Sequence, residues 1–113
     1  MTVLLVDVAN VVGSRPDGWW RDRAGATSRL LTRLAALPCT VVAVVEGAAR
    51  DVPEVDGARL VRAPGSGDDA LVSACGELGD DVLVVTADRG LRARLPAGVR
   101  VAGPGWLLGE LPD

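Results

Sequence analysis

The stretch Thr2-Val3-Leu4-Leu5-Val6-Asp7-Val8 is apolar without a break from Val3 to Val6 and then meets an acid. A strand with one wet face alternates apolar and polar residues; an unbroken apolar run reads as a strand buried on both faces, as in the middle of a parallel sheet. The same character returns at Thr40–Val45, at Ala58–Ala63, at Asp81–Thr86 and, more briefly, at Val99–Ala102. Between these runs the spacing turns helical. Ala24, Ala26, Leu30, Leu31, Leu34 and Leu37 line one face of a helix expected over Arg21–Leu37, and Pro38 stops it. A second helix is expected over Asp68–Leu78, opened by Ser66, Asp68 and Asp69, and a short third over Asp88–Leu95, stopped by Pro96.

The remaining segments read as connections. Ala9–Trp20 is expected to be a loop, marked by Gly13, Ser14, Pro16 and Gly18. Ala48–Gly57 has room for one helical turn, Pro64–Gly67 is a turn, and Gly103–Leu108 a closing loop with Trp106 in the core. Strands alternating with helices imply an α/β fold, a parallel sheet between two helical layers. The 113 residues suffice for one such domain, residues 1–113.

Composition narrows the chemistry. All twelve basic residues are Arg, with no Lys and no His. Lack of His removes Ser-His-Asp and Cys-His mechanisms and His-ligated metal sites. Lack of Lys removes a Walker-type phosphate loop and Schiff-base chemistry. Acid–base or metal work therefore falls to fifteen Asp and Glu. Cys39 and Cys75 are too few and too far apart for a metal knuckle or a disulfide framework, so both are expected as buried free thiols in a reducing cytoplasm. No signal-peptide pattern and no apolar run of membrane-spanning length is seen, so a cytoplasmic chain without a membrane partner is expected. The net charge of −3 and pI of about 4.8 run against a simple basic nucleic-acid surface.

The acids fall in a pattern. Asp7 ends the first strand, Glu46 follows the second, Asp68 and Asp69 follow the third, and Asp88 follows the fourth. All should gather at the carboxyl edge of the sheet, where open α/β folds bind ligands at the point of reversed strand order. Crowded carboxylates repel unless a cation joins them, and hard divalent ions such as Mg²⁺ or Mn²⁺ take oxygen ligands. Capping and helix-dipole roles also suit Asp68, Asp69 and Asp88 taken singly. Asp7, at the inner end of an apolar strand, is harder to explain that way.

Three segments resemble the acidic motifs of NYN-type members of the PIN-like superfamily: Val6-Asp7-Val8-Ala9-Asn10-Val11-Val12-Gly13, Gly65-Ser66-Gly67-Asp68-Asp69-Ala70-Leu71-Val72 and Thr86-Ala87-Asp88-Arg89-Gly90-Leu91. They come in the family's order and span most of the chain. The resemblance implies a three-layer α/β/α sandwich with a five-stranded parallel sheet ordered 3-2-1-4-5, and metal-dependent cleavage of RNA with Mg²⁺ or Mn²⁺. It implies Asp7, Asp69 and Asp88 as catalytic acids, with Asp68 competing for the middle role and joining them as a metal ligand. Asn10 would contact the substrate or a water on the ion, and Thr86 would support the site. Val8 departs from the family's usual Gly, the connection between strands two and three is short, and the surface is acidic.

In the loop Ser14–Arg23, Trp19 and Trp20 flanked by Arg could stack bases and hold phosphates, which makes Trp19 and Arg21 candidate substrate contacts; either Trp could instead plug the core. Asp22 could add an acid or merely start a helix, and Arg89, Arg92 and Arg94 could meet phosphates or solvent. RNA is the expected partner, and a homodimer is left open. Two other functions fit the same residues: a phosphohydrolase acting on a free nucleotide, and a non-catalytic interaction domain.

Overall fold

A computed structural model describes residues 2–112. The elements run β1 (Val3–Asp7), α1 (Val8–Gly13), a 3-10 turn (Trp19–Arg21), α2 (Arg23–Ala35), β2 (Thr40–Val45), a second 3-10 turn (Gly47–Ala49), β3 (Arg59–Arg62), α3 (Gly67–Leu78), β4 (Val82–Val85), α4 (Arg89–Arg94), β5 (Arg100–Ala102) and α5 (Pro104–Glu110). All five strands are parallel, in the order β3-β2-β1-β4-β5. This is the α/β architecture and the strand order expected.

Strand alternation divides the core in two. Leu4 and Val6 of β1, with Val41, Ala43 and Val45 of β2, pack against α1, α2 and α5. Leu5 of β1, with Val42, Val44, Val82 and Val84, packs against Leu71, Ala74 and Cys75 of α3 and Leu91 of α4. Fully burying a Leu or Val side chain stabilises by about 1.5–3 kcal/mol, and both faces of the sheet receive such residues. The unbroken apolar runs are therefore required by the layering. Both cysteines are free thiols, Cys75 buried and Cys39 half-buried, and burial raises the Cys75 pKa.

Two segments differ from expectation. The loop expected over Ala9–Trp20 begins instead with helix α1, whose Val8, Val11 and Val12 are buried. Six residues rich in valine have little intrinsic helicity, and packing of this face on β1 and α2 supplies what propensity does not. The closing loop expected over Gly103–Leu108 is helix α5, which starts with Pro104 at a position where its missing N–H costs nothing. Trp106 does not enter the core. It is 45% exposed, while Leu107 in the helix and Leu111 just past its end are buried. No helix among the described residues is long and apolar enough to cross a membrane.

Candidate active site

The strand order reverses between β1 and β4, because β2 and β3 extend the sheet on one side of β1 and β4 and β5 on the other. Asp7 closes β1 at this point. It lies two residues beyond Leu5, so its side chain shares Leu5's face, toward α3 and α4. Val6 pairs with Val85, which sets Asp7 level with Thr86 just beyond β4.

Asp7 is only 8% exposed and Thr86 1%. The Thr86 hydroxyl donates to Asp7 Oδ2 at 2.8 Å and accepts the Asp88 backbone N–H at 3.1 Å. The Asn10 backbone N–H also lies where it favours the ionised Asp7 carboxylate, without a formed cap hydrogen bond. Burial raises the pKa of Asp7, the Thr86 hydrogen bond and the nearby Asn10 N–H pull it down, and the charges of Asp68 and Glu46 push it further up. Asp68, at the start of α3, is also raised, first by burial and then by Asp88, Glu46 and, least, Asp69, with Arg94 opposing. Asp7, Glu46, Asp68 and Asp88 thus form one electrostatic group.

Each neighbour is anchored. Asp88 caps α4, its Oδ1 accepting the Leu91 N–H at 3.0 Å. Asn10 Oδ1 accepts the Ala87 N–H at 2.8 Å, and because the partner is a donor, the oxygen assignment is fixed and the Nδ2 group is turned elsewhere. Glu46 Oε2 accepts the Gly67 N–H at 2.7 Å, tying the end of β2 to the start of α3. A Cβ on Gly67 would stand 2.6 Å from the Glu46 carboxyl carbon, so this approach needs glycine. In Gly67→Ala the flexible Glu46 chain is expected to swing away, losing one charge-assisted hydrogen bond. The helical gain of alanine over glycine, about 1 kcal/mol, offsets most of that loss. Thermal denaturation should therefore move by no more than about 1 kcal/mol, while the NMR signal of the residue 67 backbone N–H moves as its bond to Glu46 is lost.

Not every candidate acid lies at the centre of the group. Asp69 lies at the edge of the group: its charge also raises Asp68, but it is exposed and pairs with Arg94 at 2.7 Å, over a groove between α3 and β3. Asp68 and Asp69 are adjacent on a helix, so about 100° separates their side chains and only one can face Asp7. Asp22 stays out, capping α2 by accepting the Gly25 N–H at 2.9 Å. Glu46, left open from sequence, joins. Of the loop residues, Trp19 is half-buried against the core beside α2, with the Arg23 guanidinium 5.0 Å from its ring centre. Trp20 is 59% exposed, meets Trp19 edge-on at 6.0 Å and has the Arg21 guanidinium 5.8 Å from its ring. The exposed stacking surface is therefore Trp20, and Arg21 lies against it. Arg89, Arg92 and Arg94 are all exposed on α4.

Among the described residues, no three acid side chains converge closely enough to ligate a single ion directly. The donor set is nevertheless all carboxylate oxygen, suited to a hard cation, and each member raises or is raised by another. That arrangement fits an ion bound through one or two carboxylates with its water shell largely kept, the usual manner of Mg²⁺.

No protein-family model matches the chain, and no curated protein matches it in sequence. In structure the chain is similar to Rae1 (YacP) from Bacillus subtilis, known from the crystal structure of a mutant form, with a TM-score of 0.76 and 18% identity over 97% of this chain and 74% of that one. At this identity the likeness establishes the fold: the three-layer arrangement and the 3-2-1-4-5 parallel sheet are shared with a solved protein.

Proposed function

We propose that the protein is a metal-dependent ribonuclease of the PIN-like, NYN type, with Asp7, Asp68 and Asp88 as its working acids and Glu46 at their side. The observation that carries this reading is the buried Asp7 at the switch point, held by Thr86 within the field of Asp68 and Glu46. A purely structural carboxylate in that position would be expected to have an Arg partner, and no ion pair among the described residues includes Asp7. The motif resemblance and the shared fold support the same conclusion.

Mg²⁺ or Mn²⁺ bound there would neutralise the carboxylates, draw in a phosphate and lower the pKa of water for hydrolysis of a phosphodiester bond. The chain's own residues do the positioning. Thr86 fixes the Asp7 carboxylate and the turn carrying Asp88 with one hydroxyl. Asn10 spends its oxygen on Ala87, which leaves Nδ2 to donate to substrate. Trp20, Arg21 and the α4 arginines offer a stacking face and phosphate contacts beside an otherwise acidic surface.

Asp88→Asn separates catalysis from folding, because Asn caps a helix as well as Asp does. Digestion of RNA in Mn²⁺ should be slowed at least ~100-fold by Asp88→Asn and by Asp68→Asn, with stability nearly unchanged. Equal cleavage by these variants and the parent would reject the assignment. The competing reading, a non-catalytic interaction domain, draws on the lack of a three-acid convergence. Under it Mn²⁺ leaves the melting temperature unmoved. A metal-binding site instead predicts stabilisation of about 2.7 kcal/mol at an ion concentration 100 times Kd, lost in Asp88→Asn.

A further inference from the structure

We infer that the pocket between α1, α2 and the turn after β2 receives one unpaired nucleobase of the RNA, with guanine preferred. This rests on the nuclease reading and specifies the substrate feature that the site selects.

The pocket holds about 300 Å³ beside the acid group, with Val12 and Val45 among its apolar walls. Its polar lining is Trp19, Arg23, Thr27 and Glu46. This volume is at the small end for ligand sites; it accommodates a base and excludes a base pair. Val8, which follows Asp7 in the chain, is part of the wall, and Glu46 belongs both to the pocket and to the acid group. Glu46, at the strand end, is where the pocket meets the acid group, so a base seated here places its backbone at the carboxyl edge of the sheet.

Two unspent polar groups point to a ligand. Thr27 is only 2% exposed, yet its hydroxyl makes no hydrogen bond to protein among the described residues. No fully enclosed side-chain oxygen lacks a partner, so this hydroxyl must reach the pocket surface. The hydroxyl is therefore free to bond a ligand that enters the pocket, as donor or as acceptor. Glu46 uses Oε2 for Gly67 and has no ion-pair partner among the described residues, so most of its acceptor capacity remains.

The sign of these groups selects the base. A carboxylate accepts hydrogen bonds and repels acceptors. Guanine presents N1–H and N2–H₂ side by side on its Watson–Crick edge, two parallel donors for one carboxylate. Uracil presents a single N–H between two carbonyls, which the same carboxylate repels. Trp19 supplies an aromatic surface for the base, and the Arg23 guanidinium at its ring can serve the attached phosphate.

The test is an NMR titration of the whole protein with 5′-GMP and 5′-UMP in EDTA, following the three tryptophan indole N–H signals. GMP should shift the Trp19 signal and leave that of Trp106, which lies beside Thr2 and Cys39. GMP should bind about tenfold more tightly than UMP, the value of one hydrogen bond to a charged group. Glu46→Gln should erase that preference, and Thr27→Val should weaken GMP several-fold without disturbing the spectrum elsewhere. Equal affinity for the two nucleotides overturns the inference, as does a preference that survives in Glu46→Gln. A shift at Trp106 rather than Trp19 overturns it as well. RNA cleavage without base preference would defeat the pocket and spare the nuclease; selective GMP binding without cleavage would do the reverse.

Discussion

Asp7→Asn is expected to abolish cleavage while making the metal-free protein more stable. Activity in Mn²⁺ should fall at least ~100-fold, beyond the ~10–100-fold typical of losing a supporting partner around a metal. The stability gain follows from the direction of the Asp7 pKa. Burial and the Asp68 and Glu46 charges raise it in the folded state above the ordinary 3.8. Between the ordinary value and the raised one, the native protein binds more protons than the unfolded chain, so stability declines as pH rises through that window. This is the reverse of a salt-bridged aspartate. The ionised carboxylate is thus a burden on the fold above the folded pKa, and acidification lifts it. Asparagine carries no charge and can still be served: its Oδ1 can accept the Asn10 N–H while its Nδ2 donates to the Thr86 oxygen. Melting at pH 7 in EDTA should rise by about 4 °C, or about 1 kcal/mol, and the parent's acid-side gain in stability should shrink. A lower melting temperature for Asp7→Asn, with cleavage retained, would show that the carboxylate is structural.

How much of this could be read from the sequence depended on how much each residue is decided by its neighbours in the chain. The runs Val3–Val6, Val41–Val45 and Val82–Val85 announce two-sided burial by composition alone, so the parallel sheet and its layers were legible. Asp7 ends a strand and Glu46 and Asp88 closely follow one, and the residues leaving strand ends in such a sheet have one destination. Asp68 against Asp69 was not decidable, because adjacent helical residues differ only in rotation, and rotation is set by Leu71 and Cys75 seating α3 on the sheet. Helix α1 hid because valines that favour strands were overruled by packing on β1 and α2. Trp106 misled because the apolar demand of α5 is met by Leu107 and Leu111. Thr27 gave no signal at all. A threonine inside a helix becomes informative only when the opposite wall, with Trp19 and Glu46, is known.

Thr86→Val should cause the largest loss of stability of any single change at the site, although the two side chains are nearly the same shape. The hydroxyl makes two bonds at once, to Asp7 Oδ2 and from the Asp88 N–H. Valine removes both and leaves a buried carboxylate oxygen and a backbone N–H without partners, each costing about 1–3 kcal/mol. A total near 3 kcal/mol corresponds to about 10 °C in melting temperature. The loss should also depend on pH. Thr86 is the largest influence holding the Asp7 pKa down, so without it the carboxyl titrates higher still, and the variant should recover more on acidification than the parent does. The carboxyl, once protonated, no longer needs the donor. Pairing the change with Asp7→Asn tests the cause. If the cost of Thr86→Val comes from an ionised Asp7, the double variant loses clearly less than the single one, with a coupling of about 1–2 kcal/mol. An additive pair with a flat pH profile would place the cost in the Asp88 turn alone, and Thr86 would then serve the loop rather than the acid.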